Sequence, residues 1–243
     1  WLWWFDSTPV EVLRGDFRAG EGNQILVFQK LLCTALSLGS KIVTPTLFHC
    51  DRTVVPDDCN ASAVFPMQDV LVLSNRAKRA TSPKKATRVI YQAYYMVDKC
   101  APKTAFDFVD VLGVTNQVKA YGEMLKRQCP SPCVVVQHRV GKDWVPHAAA
   151  FPGAAVGVSA LERSMKQFPD HHFLALTPER IKGHLPCPRV RHSNDTHPTI
   201  RFLGEIYVAS RAEVFLYNGH STTHHLVRRL APHTLKLISL KAH

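Results

Sequence analysis

The sequence predicts an α/β protein built on parallel, Rossmann-like sheets. Three observations carry that expectation. From residue 134 to residue 240, short β-branched or aromatic runs alternate with helical patterns, which is the rhythm of βαβ units. Val134 to Gln137 form a near-continuous apolar run of the kind found in a strand buried within a parallel sheet. Residues 20–45 read as a glycine-rich bend, an apolar helix and a short strand, the same layering again.

Taken in order, residues 24–38 place Ile25, Phe28, Leu32, Ala35, Leu36 and Leu38 at helical spacing, and Gly39 stops the helix. Residues 41–48, KIVTPTLF, read as a short strand ending at Pro45. Residues 49–68 hold Cys, Pro, Asp and Asn and read as loop. The basic segment 77–88, AKRATSPKKATR, reads as a solvated loop, with an acceptor-binding or regulatory loop as the alternative. Residues 115–128 form an amphipathic helical pattern, and CPSPC at 129–133 breaks it sharply. Helices are expected over 158–168, 204–212 and 224–231, and strands over 171–177, 213–218 and 234–240. The alternation is interrupted over 49–115. The expected organisation is therefore two α/β halves, 1–115 and 116–243, the first carrying the irregular stretch. No internal repeat is present.

A chain of 243 residues suffices for one large domain or two small ones. Hydrophobic residues make up 46% and charged residues 20%, a globular balance that excludes a largely disordered chain. Lys and Arg outnumber Asp and Glu by 30 to 19. The excess suits an anionic ligand, whether nucleic acid, nucleotide or acidic surface, and equally suits a generally basic exterior. No apolar run reaches the ~18 residues needed to span a bilayer. The opening WLWWFDS has no Met and no basic region before its apolar residues, so it is not read as a signal peptide. The expectation is a trimmed chain, with membrane attachment only through a segment ahead of it.

Seven cysteines are spread along the chain without a paired CxxC motif, so a zinc site is not expected. Cys33 reads as a buried free thiol. Cys50 with Cys59, and Cys129 with Cys133, lie near turn residues and are disulfide candidates. Glycosylation sequons begin at Asn60 and Asn194. Loop cysteines beside loop sequons point to the lumen of the secretory pathway, the endoplasmic reticulum or Golgi. The pairs His171-His172 and His224-His225 have no acid at ligand spacing and read as surface or core histidines. No GxxxxGK[ST], no GxGxxG after a strand and no GxSxG elbow occurs, which argues against P-loop and serine-hydrolase chemistry.

Ligands of doubly wound sheets sit beyond the carboxyl ends of the strands, and three bends fall there. They are Gly20-Glu21-Gly22-Asn23-Gln24, then His138-Arg139-Val140-Gly141-Lys142-Asp143-Trp144, then Asn218-Gly219-His220-Ser221-Thr222-Thr223. Together they offer glycines for close backbone approach, a guanidinium, hydroxyls at a helix start and two acids. That inventory suits a diphosphate: Arg binds phosphate oxygens bidentately, and a helix N-terminus adds N–H donors beside the positive end of its dipole. Each bend also has a plainer reading. Gly20 and Gly22 suit a turn with Asn23 as N-cap, Arg139 and Asp143 suit an ion pair, and Ser221 and Thr222 suit a helix cap.

In this order the three bends resemble the GDP-fucose-using fucosyltransferase superfamily, most nearly the protein O-fucosyltransferases. The glycine loop with its long helix stands as GEGNQ…LLCTALSLGSKIVTP. The strand running into His-x-Arg stands as VQHRVGKDW, and the third element as RAEVFLYNGHSTTHHLVRR. Gln137 occupies the place of the family's histidine, and Ser221-Thr222-Thr223 stands for Ser-Ser-Phe, without its aromatic residue. The resemblance covers residues 20–45 and 130–231. It implies a GT-B-like fold of two Rossmann-like lobes, the N-terminal one on the acceptor side and the C-terminal one on the nucleotide-sugar side. It implies inverting transfer of fucose from GDP-fucose to a hydroxyl of a protein or glycan, with no required metal or other cofactor. In that picture Arg139 holds the β-phosphate, and Asp143 orients Arg139 or touches the nucleotide. Gly22 and Asn23 face the sugar and diphosphate, Ser221 and Thr222 bind phosphate, and Glu21 is the base. The alternatives are a transferase of the α1,2 or α1,6 glycan type, a degenerate module that binds glycoprotein without turnover, and a nucleic-acid binder. The last is disfavoured because 77–88 lacks interleaved aromatic residues.

Overall fold

A βαβ unit opens the described chain. Strand β1 (Val12–Gly15) leads to helix α1 (Glu21–Leu38), and β2 (Lys41–Ile42) returns parallel to β1, pairing Val12 with Lys41 and Leu13 with Ile42. The structure is a computed structural model that describes residues 12–15, 21–38, 40–42, 47–48, 65–66, 71–73, 88–90, 112–139, 144–177, 184–231 and 234–240. Two short antiparallel pairs follow. They join β3 (Leu47–Phe48) to β4 (Phe65–Pro66), and β5 (Leu71–Leu73) to β7 (Leu112–Val114). Between them β6 (Arg88–Ile90) adds in parallel to the other side of β1, giving the sheet order β2-β1-β6. The basic segment 77–87 and the pair Cys50 and Cys59 lie outside the described residues.

The rest of the chain winds a second parallel sheet. Helix α2 (Asn116–Lys126) precedes β8 (Cys133–Val136). Then come α3 (Val145–Ala150), a 3-10 turn at Pro152–Ala154, α4 (Val158–Met165) and β9 (His172–Ala175). Helix α5 (Pro198–Ser210), β10 (Val214–Asn218), α6 (Thr223–Leu230) and β11 (Lys236–Leu240) complete it. The strand order is β11-β10-β8-β9, all parallel. The chain leaves β8 toward β9 on one side and returns to β10 on the other, so the direction of winding reverses between β8 and β10.

The pleat sorts the core. Val135, Leu174 and Phe215 face α1, α2, α5 and α6, while Val134, Val136, Val214 and Leu216 pack with Ala160 and Leu161 of α4. Strand β8 is buried at every position because helices cover both faces, as its apolar run predicts. Two boundaries differ from the sequence reading. Helix α5 begins at Pro198 rather than 204. Proline suits the first helical position, and His197 caps it by accepting from the Thr199 amide at 3.2 Å. The strand expected to end at Pro45 is described at Lys41–Ile42, and residues 43–46 lie outside the described residues. Helix α1 begins at Glu21, so Glu21 to Gln24 form its first turn, not a bend, and Asn23 is inside the helix rather than its cap.

Glycine serves close packing in this architecture. A Cβ on Gly22 would stand 3.2 Å from Phe202 Cζ and 3.6 Å from Leu226 Cδ1, so Gly22 lets α1 approach α5 and α6. Where α2 crosses α5, Tyr207 lies over Gly122 and Tyr121 lies over Gly204. Their hydroxyls are held: Tyr207 donates to Glu123 at 3.0 Å, and Tyr121 meets His192 Nδ1 at 2.8 Å. His192 Nε2 in turn bonds Glu205 at 2.7 Å. The CPSPC break closes as a Cys129–Cys133 disulfide, one of the expected pairs, and Glu213 accepts from the Ser131 hydroxyl and the Cys133 amide.

Candidate active site

In open α/β sheets the ligand crevice lies beyond the carboxyl ends of strands where the winding reverses. Here that point is the end of β8 and β10, and the second and third sequence-predicted bends leave those two strands. Gln137 and Asn218 are buried polar residues at those two strand ends. Gln137 Nε2 donates to Ser221 Oγ at 3.0 Å, and Ser221 Oγ donates to Thr223 Oγ1 at 3.0 Å, so a buried relay bridges the two strand ends. Among the described residues, Gln137 Oε1 and His138 Nδ1 are buried and make no hydrogen bond.

His138 points the other way, its Nε2 on the Val156 carbonyl at 2.9 Å. Burial holds its pKa below the ordinary histidine value, the Val156 bond opposes that, and Arg189 adds to it. His138 is therefore a neutral ring with its proton on Nε2, and its own carbonyl accepts from Thr177. Next along the chain, Arg139 is half-buried with its guanidinium carbon 5.1 Å from the Trp144 ring centre. Cation–π contact of this kind holds the cation over a flat surface without removing its charge.

One carbonyl ties the second bend to the third. Ala154 O accepts from Trp144 Nε1 at 3.1 Å and from Asn218 Nδ2 at 2.8 Å. Asn218 is 1% exposed, and its Oδ1 accepts from the His220 amide at 3.0 Å, fixing the turn into α6. The Ser221 amide donates to the Asn218 carbonyl at 2.9 Å. At the start of α6 the Thr222 hydroxyl donates to Asn23 Oδ1 at 2.8 Å, which brings the first predicted element onto the third. The Thr222 side chain makes no cap bond there. The Thr223 amide donates to Ser221 Oγ at 3.4 Å and the His225 amide to the Thr222 carbonyl at 3.1 Å, so what the helix start offers a ligand is the positive end of its dipole.

Of the predicted site residues, Asn23, Ser221 and Thr222 are joined through the helix start, and Gly22 packs on α6. Arg139 connects to that group through Trp144 and Ala154. Asp143 lies outside the described residues, as does Asn60. Glu21 is described by its backbone, the first residue of α1. Asn194 is exposed in a turn whose Ser193 and Asn194 carbonyls both accept from Arg201 at 2.8 Å. Sequence reasoning passed over Gln137, treated as a departure, and Asn218, treated as the start of a turn. Asn before Gly at a strand end was the signal available for the second. Among the described residues no group of three or more His, Cys, Asp or Glu gathers as metal ligands. Cys187 is a buried free thiol whose pKa burial pushes up to about 11, unsuited to nucleophilic work.

Two parallel sheets, the second reversing its winding between β8 and β10, give a GT-B-like fold of the kind found in fucosyltransferase structures. The crystal structure of POFUT1 in complex with GDP-fucose matches at a TM-score of 0.61 and 11% identity, over 95% of this chain and 98% of that one. Fucosyltransferase NodZ from Bradyrhizobium matches at 0.59 and 11%, over 93% of this chain and 94% of that one. NodZ alpha-1,6-fucosyltransferase soaked with GDP-fucose matches at 0.54 and 10%, over 92% and 93%. At such identities the likeness is one of fold. No family model matches the chain, and no curated protein matches it.

Proposed function

We propose that this protein is a GDP-fucose-dependent glycosyltransferase that moves fucose, with inversion, to a hydroxyl of a protein or glycan acceptor. The observation that carries the reading is the convergence of Arg139, the α6 N-terminus and Asn23 at the reversal between β8 and β10. In the reaction the bond from the sugar's anomeric carbon to the β-phosphate oxygen breaks, and GDP leaves with the electron pair. The acceptor oxygen bonds to the opposite face of that carbon and gives up its proton to a base, the role assigned here to Glu21. Negative charge gathers on the diphosphate as the bond breaks. Arg139 and the positive end of the α6 dipole are fixed partners for that charge, and preorganised groups of this kind lower such barriers without reorganising. Positive charge from these groups lets the mechanism run without a metal. Lobes dividing near residue 115, with the donor on the C-terminal one, belong to the same reading. A lumenal location is supported by the Cys129–Cys133 disulfide and by the exposure of Asn194 in its sequon.

Calorimetric titration with GDP and GDP-fucose tests the reading. Arg139→Ala is expected to weaken GDP by at least tenfold, the loss of a charge-assisted bidentate contact being worth about 1.5–3 kcal/mol. A folded wild-type protein that binds neither ligand refutes the reading. If binding holds, an acceptor screen with Glu21→Ala isolates the base. A second reading, a binding module without turnover, is favoured by one observation. The Ser221 and Thr222 hydroxyls both donate inside the protein, and the Thr223 and His225 amides do so as well, so the groups at that helix start are engaged by the protein itself. Nucleotide affinity without transfer to any acceptor distinguishes it.

A further inference from the structure

The third element lacks the aromatic residue of its family pattern, Thr223 standing in its place. An aromatic ring nevertheless sits beside that turn, delivered from another part of the chain. Phe151, between α3 and the 3-10 turn, stacks on His220 with ring centres 6.2 Å apart and planes 30° apart. A phenylalanine side chain this apolar is normally covered, yet Phe151 is 51% exposed.

The ring is also held in place. The Ala154 amide donates to the Phe151 carbonyl at 2.8 Å, closing the turn. The Ala154 carbonyl is bonded by Trp144 and Asn218, so the segment is pinned to both strand ends. A Cβ on Gly153 would stand 3.0 Å from His220 Nε2, so glycine there gives the imidazole room beneath the segment. The His220 amide is fixed by Asn218. An exposed ring beside the turn into α6, on a segment bonded to Trp144, over which Arg139 lies, suits a base platform next to a diphosphate site.

The geometry points to Phe151, backed by His220, as the surface on which the planar base of the nucleoside diphosphate stacks. It is a binding residue for the base and not for the phosphates. This rests on the nucleotide reading above and adds to it a contact supplied from outside the three motifs.

The test compares GDP with inorganic pyrophosphate by titration calorimetry, using wild type, Phe151→Ala and Phe151→Trp. Circular dichroism and melting verify that the variants fold, which exposure of the side chain favours. Base stacking lost to alanine is expected to weaken GDP about tenfold, within the range seen for aromatic platforms. Pyrophosphate affinity is expected to stay unchanged, and Phe151→Trp to keep GDP affinity. Unchanged GDP affinity in Phe151→Ala, while Arg139→Ala still loses it, overturns the platform and leaves the nucleotide reading standing. A parallel loss for pyrophosphate overturns it too, since the residue would then act through the phosphate site. A change confined to acceptor KM assigns the ring to the acceptor and overturns the base contact. Binding of neither ligand by the wild type removes the nucleotide reading and the platform with it.

Discussion

Gly122→Ala puts a methyl group where α2 crosses α5. The new Cβ overlaps Tyr207 Cδ1 and stands 2.9 Å from its Cγ and 3.0 Å from its Cβ. Turning the ring relieves the first contact only, because Tyr207 Cβ is fixed to the α5 backbone. The two helices must part. In an unhindered helix interior the exchange stabilises by about 1 kcal/mol. Overpacking costs about 1–3 kcal/mol, and an overlap with a backbone-anchored carbon belongs near the top of that range. The net expectation is a loss of about 2 kcal/mol. In urea this lowers the unfolding midpoint by about 1 M for a slope near 2 kcal/mol/M, with the slope itself unchanged. Gly113→Ala is the control. A Cβ there meets nothing within 4 Å, and removing a strand glycine is expected to stabilise by about 0.5–1 kcal/mol. A Gly122→Ala midpoint equal to or above the wild type would refute the crossing as described.

Two further outcomes are expected. Asn218→Ala removes a donor from Ala154 and an acceptor from His220, costing roughly 2–3 kcal/mol for a buried site. Because it unpins both bends, it is also expected to weaken GDP, and melting and calorimetry read the two effects separately. His138, neutral and with a depressed pKa, contributes stability that is complete above its ordinary value of 6.5 and falls as pH drops below it, since the unfolded chain takes up the proton first. The slope is up to about 1.4 kcal/mol per pH unit for one site, and His138→Gln is expected to flatten it between pH 5 and 6.5 in unfolding titrations. His197 is depressed in the same direction by burial and by Arg201, and remains in the variant.

The second sheet was legible because its strands announce themselves. Val134 to Val136 and Val214 to Leu216 are apolar runs between turn signals, and local pattern is what those strands obey. Parallel pairing also follows from the alternation with helices. The start of α1 was misread for a reason that is physical: two glycines within three residues imitate a turn, whereas Gly22 answers to Phe202 and Leu226, about 180 and 200 residues further on. The start of α5 was marked by Pro198, a local signal outweighed by apolar spacing further along. Of the proposed site, Arg139, Ser221 and Thr222 were named from motif order. Gln137, Asn218 and Phe151 could not be given partners, because each partner comes from another strand or turn.

The hydrogen bond from Thr222 to Asn23 joins residues 199 positions apart. A ribosome exposes Asn23 early and Thr222 late, so this corner of the crevice has no existence during most of translation. On the proposed function, a donor nucleotide would gain its full grip only on a chain whose α6 has emerged and docked. A molecule cut short before that helix would keep β8 and Arg139 yet lack the opposing wall. Ligand-induced protection from proteolysis would then report completeness of the chain, separating full-length molecules from truncated ones that share the same strand end.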